Sequence, residues 1–146
     1  MATFSVNDQV RRVTAVGNNS LLDFNFSFQV NNTSDIKVYL GSTLKQETTD
    51  YSIVTSTGAA GLNADGTGTV RFVGAPTSSD TVVILSDVPI SRASIYSSGG
   101  NVTASALEGD FDTITMQIGD QEERIIRSIK APVDEPSSSD FTLPNK

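Results

Sequence analysis

The chain has 146 residues, 37% of them hydrophobic, and 17 acidic against 10 basic side chains give a formal net charge of −7. Such a length accommodates one modest core and an appendage, and the acidic balance disfavours phosphate backbones and anionic membrane surfaces as partners. The chain has neither Cys nor His, which excludes disulfides and thiolate chemistry and removes the commonest general base and transition-metal ligand.

The opening MATFSVNDQVRR has no apolar stretch of the secretory kind. No apolar run approaches the ~20 residues of a membrane span. A soluble protein made in the cytoplasm is therefore expected. Val10, Val13 and Val16 suggest a first strand. Leu22, Phe24, Phe26 and Phe28 alternate with polar residues, the period-two signature of a strand with one buried face. Ile36, Val38 and Leu40 repeat the pattern, and Gly41-Ser42 predicts a tight turn into a hairpin partner at 43–46. Further strands are predicted from Tyr51 to Thr55, around Val70 and Phe72, and from Thr81 to Leu85. Short strands separated by Gly, Asn, Asp and Ser suit an antiparallel sandwich.

The character changes after Gly99-Gly100. Ser105-Ala106-Leu107-Glu108 has the form of a capping box, predicting a helix to about Lys130. Asp110 and Asp112 near its start and Arg124, Arg127 and Lys130 near its end complement the helix dipole. Ala104, Leu107, Phe111, Ile114, Ile118, Gln121, Ile125 and Ser128 follow alternating steps of three and four, a heptad register. Ala104, Phe111, Ile118 and Ile125 occupy its a positions; Leu107, Ile114, Gln121 and Ser128 occupy its d positions. Ile at both a and d favours three or more strands over two, and Gln121 would supply a register-fixing polar layer. Packing on the chain's own sheet would also suit an amphipathic helix. Gly109 and Gly119 each oppose a regular helix by ~1 kcal/mol, and the off-stripe Ile126 and Ile129 suggest sideways packing on a β-domain. Pro132, Pro136 and the serine run beyond them stop the helix and predict a linker.

Taken in order, these segments resemble the N-terminal tail-attachment domain of tail fibre proteins from short-tailed phages (podoviruses). Phe24-x-Phe26-x-Phe28 resembles that family's phenylalanine-rich second strand. Val38-x-Leu40-Gly41 resembles its strand ending at glycine, and Asp50-Tyr51 its Asp-Tyr pair. The firmest stretch is Arg92, Ser94, Tyr96, Gly99-Gly100, Val102, Ala104 and Leu107, opening a helix that carries Asp112, Gln117, Gln121, Glu122 and Glu123. Thr142-Leu143-Pro144 resembles the linkers that follow. The family often has Leu-Asn where this chain has Leu107-Glu108. The resemblance implies a structural virion protein, a homotrimer docked on the tail through adaptor and nozzle proteins. It implies that any host receptor is contacted by regions downstream.

Other candidate sites have plainer explanations. Asn63 to Thr69 mimics the start of an EF-hand loop, but its twelfth position is Gly74 rather than a bidentate Glu. Asp65-Gly66 reads as a hairpin turn. Asp110 and Asp112 suggest a glycosidase carboxylate pair, yet residues two apart on a helix do not face each other. Arg11-Arg12 reads as strand-surface charge or as a contact with acidic neighbours. Arg92 could pair with a carboxylate of another subunit. Tyr39, Tyr51 and Tyr96 could line a glycan platform or lie half-buried in strands.

The expected fold class is α+β: a small antiparallel β-sandwich (1–100), a trimerisation helix (101–130) forming a coiled coil, and a Pro/Ser linker (131–146). The expected trimer interface is Ala104, Leu107, Phe111, Ile114, Ile118, Gln121 and Ile125. No catalytic residue, cofactor or metal is expected, nor a nucleic-acid or membrane partner. The alternatives are a glycan-binding surface adhesin domain and the N-terminal anchor of a tailspike depolymerase.

Overall fold

The computed structural model describes residues 6, 9–91, 94–96, 99–100 and 102–128. The protein is α+β, with two antiparallel sheets and one long C-terminal helix. Strands β1 (Arg12–Val16), β2 (Asp23–Phe26), β3 (Ile36–Leu40), β4 (Thr43–Leu44), β5 (Tyr51–Val54), β6 (Gly68–Phe72) and β7 (Thr81–Ser86) precede α1 (Ala104–Ile126). The first sheet has the order β1-β7-β3-β4 and the second β2-β6-β5.

The period-two patterns place one set of side chains from each strand inside. Phe24 and Phe26, Ile36 and Val38, Tyr51 and Ile53, Val70 and Phe72, and Val82 and Ile84 form one core cluster drawn from both sheets. Phe24 meets Phe72 edge-on at 5.6 Å, and Phe26 stacks on Phe28 at 5.0 Å. Phe28 and Val30 continue this core beyond the end of β2 and are fully buried. Leu22, expected on the same buried row, is 39% exposed. The hairpin at Gly41-Ser42 forms as expected. Tyr39 pairs with Leu44 and Leu40 with Thr43, and Gly41 takes a φ of 58°, a left-handed value that glycine adopts without strain.

The first strand exists, but its inward face differs from the valine spacing. Val13 and Ala15 pack against the core, whereas Val10 and Val16 are 75% and 63% exposed. A pleated strand alternates with period two, so Val10, Val13 and Val16 cannot share one face.

The helix starts earlier than the expected capping box. Thr103 is the N-cap, with extended backbone, and its Oγ1 accepts from Ala106 N at 3.3 Å. Ser105 therefore lies inside the first turn. At ~1.5 Å per residue, the 23 residues of α1 extend about 35 Å. Regular helix ends at Ile126, with Arg127 as C-cap. Ile129, Lys130 and the expected linker lie outside the described residues, as does Arg92.

Candidate functional site

The helix docks on the β-region through one buried apolar side chain flanked by polar and small residues. Its buried positions are Gly109, Met116 and Asp120, with Met116 fully enclosed. Near its start, Asp110 accepts from Ser94 Oγ at 2.5 Å and from Tyr96 OH at 2.8 Å. At mid-length, Gln117 Nε2 donates to Pro89 O at 2.8 Å. Towards the end, Arg124 forms an ion pair with Asp87.

Between these contacts lies a buried ionic latch. Arg11 Nε donates to Asp120 Oδ1 at 2.5 Å, and both side chains are only 2% exposed. Arg11 also donates to Gln29 O at 3.1 Å and Ser86 Oγ at 2.7 Å. Asp120 Oδ2 accepts from Ser86 Oγ at 3.0 Å and Val88 N at 2.7 Å. The guanidinium carbon lies 5.8 Å from the Phe28 ring centroid, within cation–π range. A buried charge requires this density of partners, because its desolvation costs several kcal/mol otherwise.

Gly119 acquires a reason here. A Cβ at that position would lie 2.5 Å from Arg11 Cδ, so a glycine lets the arginine stem pass against the helix. Of the paired arginines read as surface charge, Arg11 is buried while Arg12 lies on the outer face of the first sheet. The reading as a contact with an acidic neighbour therefore holds for Arg11, across 109 positions of sequence.

This docking turns the heptad stripe outward. Leu107 and Ile125 are each nine residues from Met116, which at ~100° per residue is half a helical circumference. Leu107 is 40% exposed, Phe111 59%, Ile114 50%, Ile118 64% and Ile125 54%. Ala104 is exposed and Gln121 half-buried. The structure thus brings all seven expected interface residues onto one outward helix face. Ile126, whose off-stripe position suggested sideways packing on a β-domain, is 60% exposed within the single chain. Ile90, on the segment after β7 and 75% exposed, joins Ile114, Ile118 and Ile125 around an apolar trough of roughly 490 Å³.

Sequence reasoning missed Ile90 and the Arg11–Asp120 pair. Arg11 and Asp120 stand 109 positions apart, so no local pattern pointed to their pairing.

The remaining candidates resolve separately. Asn63 to Thr67 is a turn: Gly66 N donates to Asn63 O, and Asp65 Oδ1 accepts from Thr67 N at 3.0 Å and Thr67 Oγ1 at 2.6 Å. Those bonds hold the Asp65 carboxyl below its ordinary range. Among the described residues no group of three or more acidic side chains is placed to hold a metal ion. The three tyrosines do not form a platform. Tyr51 is core, its phenol pushed up to about 12 by burial and then by Glu47 and Asp50. Tyr39 lies on the outer face of the first sheet, and Tyr96 bonds to the helix through Asp110. Asp110 is occupied in holding residues 94–96. No protein-family model matches the chain, and no curated protein is significantly similar to it.

Proposed function

We propose that the chain is the N-terminal attachment region of a phage tail fibre: a non-enzymatic virion part that trimerises and anchors the fibre to tail adaptor and nozzle proteins. The two sheets (1–100) would form a sandwich, the helix (101–130) a three-stranded coiled coil, and 131–146 a linker to a shaft. The observation that carries this reading is the outward apolar stripe. The helix satisfies its own β-region through Asp110, Met116, Gln117 and Asp120, so the stripe is not needed for the intramolecular core. Large exposed apolar patches mark interaction surfaces, and the Ile pattern at a and d favours three helices. The order of motifs along the chain, resembling the podovirus fibre family, supplies the virion context.

Mass measurement by light scattering tests assembly. A trimer is expected at micromolar concentration, and the double variant Ile114→Asp, Ile118→Asp should be monomeric with an unchanged circular dichroism spectrum, because both side chains are half exposed. A monomeric parent chain, or a variant of unchanged mass, overturns the interface. Mixing the trimer with fibreless short-tailed particles tests anchoring: co-sedimentation of the parent chain is expected, and its absence refutes the attachment role.

A further inference from the structure

A second surface, on the opposite side of the first sheet from the core, has chemistry of its own. Arg12 and Lys37 flank Leu85 across three neighbouring strands, since Leu85 is paired with both. Val83 and Tyr39, paired in the next row, complete a half-buried floor. The end of the helix adds Arg124 and Arg127 to the rim of this cleft, whose volume is about 430 Å³. Four of the chain's 10 basic residues thus converge on one face of a protein with a net charge of −7.

The four cations are not equally occupied. Arg124 pairs with Asp87, and Arg127 with Glu123. Arg12 and Lys37 form no ion pair among the described residues. The Nε of Arg12 is buried and has no hydrogen-bond partner among them. A buried guanidinium N–H without an acceptor is costly, and Arg12, which lines this cleft, has no counter-charge among the described residues to offset that cost.

We infer that this cleft docks an acidic peptide segment of a partner protein, with carboxylates meeting Arg12 and Lys37 and an apolar side chain resting on Leu85, Val83 and Tyr39. A carboxylate matches the fork geometry of a guanidinium, and the largely apolar floor calls for apolar atoms that a phosphate ion lacks. A long polyanion such as nucleic acid is opposed by the charge of the whole chain, whereas a few local carboxylates feel mainly the nearby cations within a Debye length of ~8–10 Å. The surface is separate from the helix stripe, so this inference stands or falls independently of trimerisation.

The test uses the full chain and a fluorescent synthetic peptide alternating Glu and Leu, followed by anisotropy. Saturable, salt-sensitive binding is expected. Lys37→Glu, a surface change, should weaken it by about tenfold, since reversing a charge replaces an attraction with a repulsion. Arg12→Gln should also weaken it, and Arg71→Gln on the other sheet should leave it unchanged. Absence of saturable binding, or equal binding by Lys37→Glu, overturns the inference. So does stronger competition from inorganic phosphate or an oligothymidine than from unlabelled peptide. A change in oligomeric mass on Lys37→Glu would assign the cleft to a second copy of this chain and likewise overturn the assignment to a partner.

Discussion

Removing Asp120 tests whether the latch fixes the helix. In Asp120→Ala, Arg11 keeps Gln29 O and Ser86 Oγ as acceptors but loses its carboxylate partner, while Val88 N loses its acceptor. Breaking a buried ion pair from one side costs about 3–5 kcal/mol. A single buried unsatisfied donor costs about 1–3 kcal/mol, an overlapping part of the same loss. A destabilisation near 4 kcal/mol is therefore expected, against a typical total of about 5–15 kcal/mol. Urea unfolding at fixed protomer concentration measures it, because assembly would otherwise shift the midpoint. Hydrogen exchange locates it: helix amides should lose protection before those of β3 and β7. The double variant Arg11→Met, Asp120→Leu should be more stable than Asp120→Ala, because no uncompensated charge remains inside. A midpoint shift worth under about 1 kcal/mol for Asp120→Ala, or a double variant worse than the single one, would refute the view that this pair holds the helix.

Asp35 gives a pH prediction of opposite sense to a usual salt-bridged acid. Burial raises its carboxyl above the ordinary value of 3.8, only partly offset by the Asn32 hydrogen bonds. The folded state therefore holds this proton more tightly than the unfolded chain, so its contribution to stability falls as pH rises from 3.8 through the raised folded value. Asp35→Asn should accordingly stabilise the protein at neutral pH, with the gain shrinking below that window in melts across the acid range. Equal melting temperatures at neutral pH would refute it. Thr103→Ala should cost about 1 kcal/mol through loss of the N-cap, whereas Ser105→Ala should be neutral or slightly stabilising, as Ala is the better residue inside a helix. Thermal melts of the two variants distinguish the observed cap from the one expected at Ser105.

The strands were legible because their signal is local. Phe24 and Phe26, or Ile36 and Val38, declare a buried face within a few residues, and Gly41-Ser42 declares its turn. The long helix and its stripe were equally visible, since heptad spacing requires only neighbours on one cylinder. The N-cap was misplaced by two residues because Thr103 and Ser105 both offer hydroxyls, and only the extended backbone at Thr103 decides between them.

By itself, the sequence determined that an amphipathic helix runs from about Ser105 to about Lys130 and that the preceding strands each have one apolar face, because both follow from backbone periodicity. The tertiary structure decided which side of that helix meets the sheets. Its choice depends on Arg11, 109 positions away, reaching past Gly119 to Asp120 and being sealed by Ser86, Val88 and Phe28. A buried charge must find its counter-charge wherever the fold brings it, and no local pattern encodes that meeting. It leaves the apolar stripe facing outward, on the side opposite Met116.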